Sequence, residues 1–211
     1  SVSLNFYHIH YRNTEQFLTE TVTIPPGITI DPFVIDFGQR TYRYELELQH
    51  NATLADSLRA AWGAGLRDDQ VGAGQSLMPD GEVHNHLKYA FVNLEWEASD
   101  RWLFNAGLMA EDYSTIGDHY SPRAGVNYRF SPAHSLRLTG ARAIRAPSMF
   151  EYAARYNFFA PSTNVGPITQ VFEIGERQLE PERIESLELG YHGIVNSGAL
   201  EFDAKLYRDV L

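Results

Sequence analysis

The chain contains no cysteine, and its basic residues are outnumbered by its acidic ones. The absence of cysteine excludes a disulfide scaffold, thiolate catalysis and zinc or iron–sulfur sites built on cysteine. Lysine and arginine number 17 against 27 aspartates and glutamates, which gives a formal net charge of −10. Because nucleic-acid phosphates attract basic surfaces, this balance argues against a nucleic-acid partner.

Long apolar runs are absent as well. No stretch approaches the about 18 consecutive apolar residues that form a transmembrane helix. The chain is nonetheless rich in apolar side chains, since 44% of its 211 residues are hydrophobic and 13% are aromatic. This composition fits a folded protein rather than a disordered one. It also fits a membrane protein that is built from short strands of alternating character.

Neither end of the sequence carries a recognisable start or stop signal. Ser1 stands directly at the head of an alternating run, without the charged and apolar segments of a signal peptide. Asp209, Val210 and Leu211 follow another alternating run at the other end. We therefore expect this sequence to be an internal piece of a longer protein.

The sequence repeatedly shows the period-two alternation that is typical of a β-strand with one apolar and one polar face. In residues 40–50, Tyr42, Tyr44, Leu46 and Leu48 alternate with charged or polar neighbours. The pattern predicts nine strands, at residues 2–12, 40–50, 58–66, 90–97, 102–110, 123–130, 136–139, 186–192 and 200–206.

Short and long connections alternate between these predicted strands. The short ones are 51–57, 98–101, 131–135 and 195–198, and the long ones are 13–39, 68–82, 111–121 and 144–183. In an up-and-down sheet this order places all short turns at one end and all long loops at the other. Loops above about 15 residues are uncommon in compact soluble domains. The same asymmetry is typical of bacterial outer-membrane barrels.

A lipid environment around the apolar face also explains the placement of aromatic residues. Trp96 and Trp102 flank one short turn, and Phe130 directly precedes another, as expected for interfacial side chains. Periodicity alone also fits a soluble β-sandwich or lipocalin-like barrel, in which the apolar face points inward. Loop asymmetry, strand length and aromatic placement favour an all-β, antiparallel, up-and-down transmembrane β-barrel.

Two histidine pairs are the candidate metal ligands. His8 and His10 share one strand face, as do His84 and His86, and such a pair can contact one metal ion. A site needs a third or fourth ligand, and the sequence supplies none nearby. We therefore predict no metal site.

The acidic pairs at 68–69 and 111–112 lie where strands run into long loops. Paired carboxylates can carry acid–base chemistry, but at this place solvated charge is expected. Neither G-x-S-x-G nor H-E-x-x-H occurs in the chain. We predict no catalytic residue and no cofactor.

The longest loop, 144–183, holds the candidate binding residues. It contains an aromatic group that consists of Tyr152, Tyr156, Phe158 and Phe159. Aromatic side chains in a loop can stack on a flat ligand or pack on one another. The sequence leaves both roles open.

The second half of the chain resembles the TonB-dependent outer-membrane receptors. The first motif is SPRAGVNY within 120–128, and it is followed by a turn and strand at 131–138. The second is RAIRAPSMFE at 142–151, and the third is LEPERIESLELGY at 179–191. They follow one another in the order typical of that family. The resemblance covers residues 120–208, whereas residues 1–119 share only the general hairpin pattern.

The resemblance implies a monomeric barrel of about 22 strands with a plugged lumen. Such receptors lie in the lipid bilayer of the bacterial outer membrane and take up scarce nutrients. Ferric siderophores are the typical ligands, and haem, cobalamin or sugars are others. The resemblance further implies that TonB drives the uptake by pulling on the plug domain.

The resemblance also implies roles for particular residues. Arg142 and Arg145 are expected where a strand meets an extracellular loop, as structural or lumen-facing cations. As rim cations they are also candidate ligand contacts, together with the loop aromatics. Pro147 is expected to end the strand, and residues 180–182 to direct the chain into the next strand. None of these roles is catalytic, so the resemblance implies that the protein is not an enzyme.

The chain departs from the family pattern in what it lacks. Residues 1–211 show no pattern of a plug domain, a TonB box or a terminal strand that ends in an aromatic residue, and nine strands are fewer than half of the family's number. We therefore expect residues 1–211 to be a partial receptor β-barrel domain without the plug and the C-terminal strands. Two alternatives stay open at this point: an outer-membrane barrel enzyme, such as a protease or lipase, and a soluble β-sandwich binding module.

Overall fold

The backbone is built mainly from β-strands. The computed structural model describes residues 1–74, 76–78, 81–173, 175–195 and 199–211. The elements follow in the order β1 (Val2–Asn13), β2 (Gln16–Leu18), β3 (Val22–Ile24), β4 (Ile28–Ile30), β5 (Val34–Asp36), β6 (Gln39–Ala55), β7 (Leu58–Ala73), β8 (Val83–Ser99), β9 (Trp102–Tyr113), β10 (Gly117–Ser131), β11 (His134–Arg145), α1 (Met149–Ala153), β12 (Arg155–Ala160), β13 (Ile168–Glu173), β14 (Glu182–Val195) and β15 (Leu200–Val210).

Nine long strands within the described ranges form one antiparallel sheet. Its order is β1-β6-β7-β8-β9-β10-β11-β14-β15, so each long strand pairs with the next long strand along the chain. The sheet is open, because β1 and β15 stand at its two edges. The predicted number of strands and the up-and-down topology are confirmed.

Several strands are longer than the alternation predicted. β6 and β8 each span 17 residues, whereas about 9–11 residues suffice to cross a bilayer. β6 gains residues mainly at the short-turn end, up to Ala55. β7 and β8 gain theirs mainly at the long-loop end, where Asp69 still pairs with Asn85. Both faces are polar in this part, so the hydrophobic alternation disappears although the backbone pairing continues.

Two predicted connections are corrected by these longer strands. The connection predicted at 111–121 is a tight turn at 114–116, because β9 runs to Tyr113 and β10 begins at Gly117. Gly117 adopts a φ of 79°, which a glycine accepts without strain. The loop predicted at 68–82 shrinks to 74–82. The turn predicted at 195–198 falls mostly on residues 196–198, which lie outside the described residues.

The remaining long connections contain short elements that the sequence pattern did not predict. Residues 14–38 carry the pairs β2–β5 and β3–β4, and residues 146–181 carry α1 and the pair β12–β13. Strands of three residues show too little alternation to be recognised from sequence. None of the helices within the described residues is long and apolar enough to span a membrane.

One face of the sheet exposes its apolar side chains. Trp62, Leu66 and Leu108 are 48%, 57% and 43% exposed. Among the described residues no second sheet or helix layer covers these rows, since the long strands pair only edge to edge. A soluble β-sandwich would bury the same rows between two layers, so that alternative is wrong.

The exposed apolar face is bounded at both ends. At the short-turn end Trp102 stacks near Phe104, with ring centroids 6.0 Å apart, and near Tyr128 at 4.5 Å. At the long-loop end the same face turns charged, where Lys88 lies opposite Asp112 on β9. An apolar belt between an aromatic row and a charged row is typical of a barrel wall in a bilayer.

Adjacent residues on β6 test the assignment of the two faces. Leu48 lies on the exposed apolar face, and Gln49 points to the other face, opposite Gly63 on β7. We expect Leu48→Arg to lower the free energy of unfolding from lipid by about 2–4 kcal/mol, because the cation then faces hydrocarbon. Gln49→Arg is the matched control and should cost less than about 1 kcal/mol. Equal losses, measured by denaturant titration of the full-length protein in vesicles, would contradict the assignment.

Candidate binding site in the long-loop layer

The long-loop layer comprises residues 14–38, 74–82 and 146–181, which join long strands at one end of the sheet. Its third segment contains the sequence motif of 142–151 and all four candidate aromatic residues. The geometry of this layer therefore decides what the candidate site can do.

Arg145 ties both ends of the segment 146–181 together. Its Nε and Nη2 donate to the two carboxylate oxygens of Glu182 at 2.8 Å each. Its Nη1 and Nη2 also donate to Glu151, at 3.1 and 3.2 Å. The planar guanidinium suits such paired contacts. Arg145 thus holds the exit from β11 beside the entry to β14.

Ser148 and Glu151 form a capping box at the start of α1. The Ser148 hydroxyl accepts from the backbone N–H of Glu151 at 3.1 Å, and the Glu151 carboxylate accepts from the backbone N–H of Ser148 at 2.7 Å. This reciprocal pair satisfies two donors that a helix start leaves open. Pro147 precedes the cap, outside β11, as the sequence predicted.

Arg145 also changes the acidity of its two partners. Its hydrogen bonds, followed by those of Ser148, lower the pKa of Glu151 to about 2. They lower the pKa of Glu182 as well. Because the ionised forms make the contacts, the stabilisation is complete above the ordinary carboxyl pKa of about 4.5 and is lost as the pH falls through the lowered value.

The Arg145 contacts therefore predict acid sensitivity in this segment. We expect hydrogen exchange at the amides of Tyr152 and Ala154, corrected for intrinsic rates, to be constant from about pH 7 to 5 and to accelerate between about pH 5 and 2. Arg145→Lys keeps the charge but loses the paired geometry, so exchange should be faster already at pH 7. Arg101→Lys at the short-turn end is the control and should leave these amides unchanged. Unchanged exchange in Arg145→Lys would contradict the assignment.

A row of aromatic rings joins the first and third segments of the layer. Phe17 and Phe37 meet edge to face at 6.0 Å, and Phe37 meets Tyr156 at 5.7 Å. The row continues through Phe158, which stacks near Tyr156 at 5.9 Å and contacts Phe172 at 6.1 Å. The candidates Tyr156 and Phe158 are thus brought together with rings that the sequence did not single out.

The other two candidate aromatics lie apart from this row. Phe159 points to the opposite side of β12 and is 52% exposed, whereas Tyr152 is half-buried in α1. Of the four, Phe159 offers the largest free surface to a ligand.

Side-chain hydrogen bonds fasten the third segment to the first. Asn164 accepts from the backbone N–H of Thr29 at 2.9 Å and donates to the carbonyl of Gly27 at 2.9 Å. The Ser162 hydroxyl donates to the carboxylate of Asp31 at 2.5 Å. These contacts join residues more than 130 positions apart in sequence, so the two segments are held as one unit.

The second segment of the layer supplies a small core. Leu77 and Met78 are almost fully buried, and Ala154 after α1 is 0% exposed. The backbone N–H of Arg155 donates to the carbonyl of Leu77 at 3.0 Å, and that of Asn157 to the carbonyl of Ser76 at 2.9 Å. Burial and pairing of this kind restrict the mobility of loops.

The polar face of the sheet carries an apolar cluster beneath this layer. Leu87, Tyr89 and Tyr113 are buried there, and Ile144 and Ala146 pack against them. The segment that begins with Ala146 is therefore folded back over the sheet rather than extended away from it.

Tyr89 reaches across the neighbouring strand β7 to a pair of carboxylates on β6. Its ring lies over Gly65 of β7, where a Cβ would overlap the ring. Its hydroxyl oxygen lies 2.8 Å from a carboxylate oxygen of Glu45 and 2.8 Å from one of Glu47, both on β6. The missing side chain at Gly65 makes this contact sterically feasible.

This arrangement predicts opposite outcomes at two glycines. We expect Gly65→Ala to destabilise the fold by about 1–3 kcal/mol, because the Cβ must displace the Tyr89 ring. Gly140→Ala is the control, since the nearest side-chain atom to its Cβ is Cδ1 of Leu187 at 3.9 Å, and should change stability by under about 1 kcal/mol. Thermal unfolding with Tyr fluorescence detection measures both. A tolerated alanine at position 65 would contradict the packing described.

Two arginines share a buried carboxylate on the same face. Nε of Arg43 donates to Asp69 at 2.5 Å, and Nε of Arg67 lies 3.0 Å from the other oxygen of this carboxylate. Asp69 is 5% exposed, so its charge is compensated within the wall. The sequence predicted a solvated acidic pair at 68–69, and for Asp69 that prediction is wrong because β7 extends further than the alternation showed.

Arg142 has a different position from Arg145. The pairing of β10 with β11 ends at Arg123 and Ala141, and Arg142 lies just beyond this point. Its Nη2 donates to the backbone carbonyl of Tyr120 on β10 at 3.4 Å. Arg142 thus bridges the two strands where they part, and it does not join Arg145.

The histidine pairs have structural neighbours. His8 and His10 stack on Tyr44 and Tyr42, with centroids 4.6 and 4.5 Å apart. Nδ1 of His86 lies 2.8 Å from the carboxylate of Asp68. In the part of the chain that the structure describes, no three histidine or carboxylate side chains converge as metal ligands.

The sequence reasoning missed the residues that assemble the layer. Asn164, Ser162 and Asp31 carry no motif, and their signal in sequence is only the ordinary preference of Asn, Ser and Asp for loops. Phe17 and Phe37 were detectable as aromatic residues in a long loop, but their pairing with Tyr156 depends on tertiary contacts.

Comparison with known proteins gives two findings. A family model described as TonB dependent receptor-like, beta-barrel matches residues 1–209. The siderophore receptor PirA of Pseudomonas aeruginosa superposes with a TM-score of 0.69 at 16% identity, over 99% of this chain and 40% of that one. A ferric enterobactin receptor (PfeA) mutant from the same organism superposes with a TM-score of 0.67 at 14% identity, over 98% and 32%.

A structure of the RagAB peptide transporter also matches, with a TM-score of 0.58 at 10% identity, over 99% of this chain and 27% of that one. At such identities the likeness shows the fold alone. The chain spans two fifths or less of the length of these solved structures.

Proposed function

The chain belongs to the TonB-dependent receptor family, and on that premise we propose that it forms part of the barrel domain of an outer-membrane receptor. The receptor binds a scarce nutrient, a ferric siderophore, at the long-loop layer and imports it. Residues 1–211 supply nine barrel strands and the loops between them. The other strands and the plug domain come from the rest of the receptor.

The outer-membrane enzyme that the sequence left open is not supported. Members of this family are receptors and transporters, not enzymes, so that alternative is wrong.

The observation that carries the proposal is the uncovered apolar face of the sheet. Leu46, Leu48 and Leu66 are exposed on it, while the opposite face bears Glu45, Glu47 and the buried Asp69. A bilayer on the outside accommodates the apolar side chains, and a water-filled lumen on the inside accommodates the charged ones. The bacterial outer membrane is the location in which such barrels occur.

The layer supports ligand binding through preorganised aromatic surface. The row from Phe17 to Phe172 is fastened by hydrogen bonds between segments, so a ligand that stacks on it orders few additional side chains. We assign Tyr156 and Phe158 as ligand contacts on the side of β12 that carries the aromatic row, and Phe159 as a separate contact on the opposite side, with Tyr152 as a further candidate in α1. Arg145 affects ligand binding indirectly, because it holds the loop in position. Arg142 also acts indirectly, because it joins β11 to β10.

TonB is the proposed energy-coupling partner, reached through the plug domain. The barrel part described in this chain then provides walls and loops, whereas the conformational change that releases the ligand occurs in the plug. The lipid bilayer is the second partner, along the apolar belt.

Uptake in cells tests the proposal. A strain that lacks the full-length gene, grown without iron, should take up radioactive iron from its ferric siderophore at least about tenfold more slowly than the parent strain. The plasmid-borne gene should restore uptake, and collapse of the proton gradient should abolish it. Restored uptake that persists without the gradient would contradict TonB-driven import, and normal uptake in the deletion strain would contradict the assigned nutrient class.

A further inference from the structure

The polar face of the sheet has a cavity in its short-turn half. The cavity has a volume of about 730 Å³ and extends over six neighbouring strands, from β6 to β11. Each of these strands is already paired with another strand on both sides. A further strand therefore cannot cover the cavity from the edge of the sheet, and any cover has to approach from the polar side.

Arg123 reaches over a glycine to a side chain two strands away. Its Nη2 donates to Oδ1 of Asn93 on β8 at 2.6 Å. Gly107 on β9 lies between them, opposite both residues in register. A Cβ at position 107 would lie 2.8 Å from Nε of Arg123 and 2.5 Å from Oδ1 of Asn93. The glycine thus makes room for a contact that fixes the guanidinium on the wall of the cavity.

The contact with Asn93 uses only part of the hydrogen-bonding capacity of Arg123. A guanidinium has five N–H donors in a planar fork that suits a carboxylate. Among the described residues, Arg123 forms no ion pair with a carboxylate. Its positive charge is therefore not compensated by a partner in the part of the chain that the structure describes.

The two other arginines of the cavity do have carboxylate partners. Nη1 of Arg59 lies 3.2 Å from Glu95, and Arg137 pairs with Glu188. Counting Glu188 together with the lining residues, the cavity has three arginines and two carboxylates. One cation is left over, and it is Arg123.

The rows that border the cavity on β6 to β11 leave this excess in place. Toward the short turns, the polar face carries Glu97 on β8 and Arg129 on β10, whose formal charges cancel. The next row toward the long loops is uncharged and consists of Gln49, Gly63, Phe91, Met109 and Ser121.

A second group of the wall also lacks a partner. Oδ1 of Asn127, a residue that lines the same cavity, is buried and has no hydrogen-bond partner among the described residues. A buried acceptor without a donor costs free energy, and native structures contain few of them. The wall therefore needs an anionic acceptor at Arg123 and an N–H or O–H donor at Asn127.

A resident protein segment meets both needs better than a diffusing ligand. An imported nutrient would leave Asn127 without a donor after it has passed, whereas a segment with an acidic side chain and a neighbouring N–H satisfies both groups in the resting receptor. The receptor has chain available for this, because residues 1–211 span 40% of the length of the PirA structure that they match. The proposed plug domain belongs to the part outside these residues.

We propose that Arg123 anchors the plug domain to this wall by pairing with a carboxylate of the plug, while Asn127 accepts a hydrogen bond from the same segment. This inference rests on the proposed function, because the plug domain is part of it. Its basis is one cavity that contains both a guanidinium without a carboxylate and a buried acceptor without a donor. In the proposed import cycle, the contact has to break before the plug can leave the wall.

Zero-length cross-linking of the full-length receptor in detergent tests the anchor. A carbodiimide joins an amine to a carboxylate only where the two are in contact, and Arg123→Lys supplies an amine at this position. We expect a new link between position 123 and an aspartate or glutamate of the plug, identified by mass spectrometry of the digested protein. Arg59→Lys is the matched control and should link to Glu95 within the wall.

Proteolysis measures whether the contact holds the plug. Arg123→Gln removes the charge, so cleavage within the plug should become at least about threefold faster at low salt. The difference should shrink at high salt, because salt weakens the ion pair of the unmodified receptor. Arg101→Gln removes the same charge in the short turn between β8 and β9 and should leave the rate unchanged. Both arginines are exposed, so both variants should fold.

The outcomes separate the anchor from the function on which it rests. If position 123 links only to barrel carboxylates, or to none while Arg59→Lys reacts with Glu95, the anchor is overturned and the receptor function stands. Equal cleavage rates in Arg123→Gln and in the unmodified receptor would overturn it as well. Failure of the proposed function appears in a different measurement, the uptake of ferric siderophore by cells that carry the unmodified gene.

Discussion

The fold depends on backbone hydrogen bonding between neighbouring long strands in a sheet that has nothing packed on its apolar face. In most β-proteins a second layer removes such a face from water. Here the described residues leave Leu46, Leu66 and Leu108 exposed on one face, and large contiguous apolar patches are rare on soluble monomers. Hydrocarbon is the solvent that makes the arrangement stable, because it receives the apolar side chains and leaves every strand to pair with another strand.

The opposite face follows from the same constraint. Side chains that point away from lipid must share the interior with water and with the folded-back loop segments, so they form ion pairs, aromatic contacts and close approaches over glycine. Tyr89 over Gly65 is the clearest case. Above this wall the loops fasten to one another through Asn164, Ser162 and the row from Phe17 to Phe172. The result is a loop surface whose segments are held together, and for the proposed ligand binding this order reduces the entropy lost.

Period-two alternation predicted the strands well wherever one face meets hydrocarbon, as along Tyr42 to Leu48. It failed beyond the apolar belt, where Asp69 and Asn85 pair although both faces of the sheet are polar. For the same reason, the polar ends of β9 and β10 were taken as part of a loop at 111–121. Within the candidate site, the motif at 142–151 contains Arg145, Ser148 and Glu151, but the sequence assigned a role only to Arg145 and did not predict its contact with Glu151 or the capping box. It did not reveal that Phe37 meets Tyr156 or that Asn164 holds Thr29. Those contacts join segments distant in sequence, and only the assembled fold brings them together.

The account rests most directly on the assignment of lipid to one face and water to the other. Spin labels placed singly at positions 45 to 52 of β6, in the full-length protein reconstituted into vesicles, report this through collisions with oxygen and with a water-soluble nickel complex. Oxygen accessibility should peak at the even positions, including Leu46 and Leu48, and nickel accessibility at the odd positions, including Glu47 and Gln49. Oxygen maxima at the odd positions, or the same accessibility along the whole strand, would contradict the account.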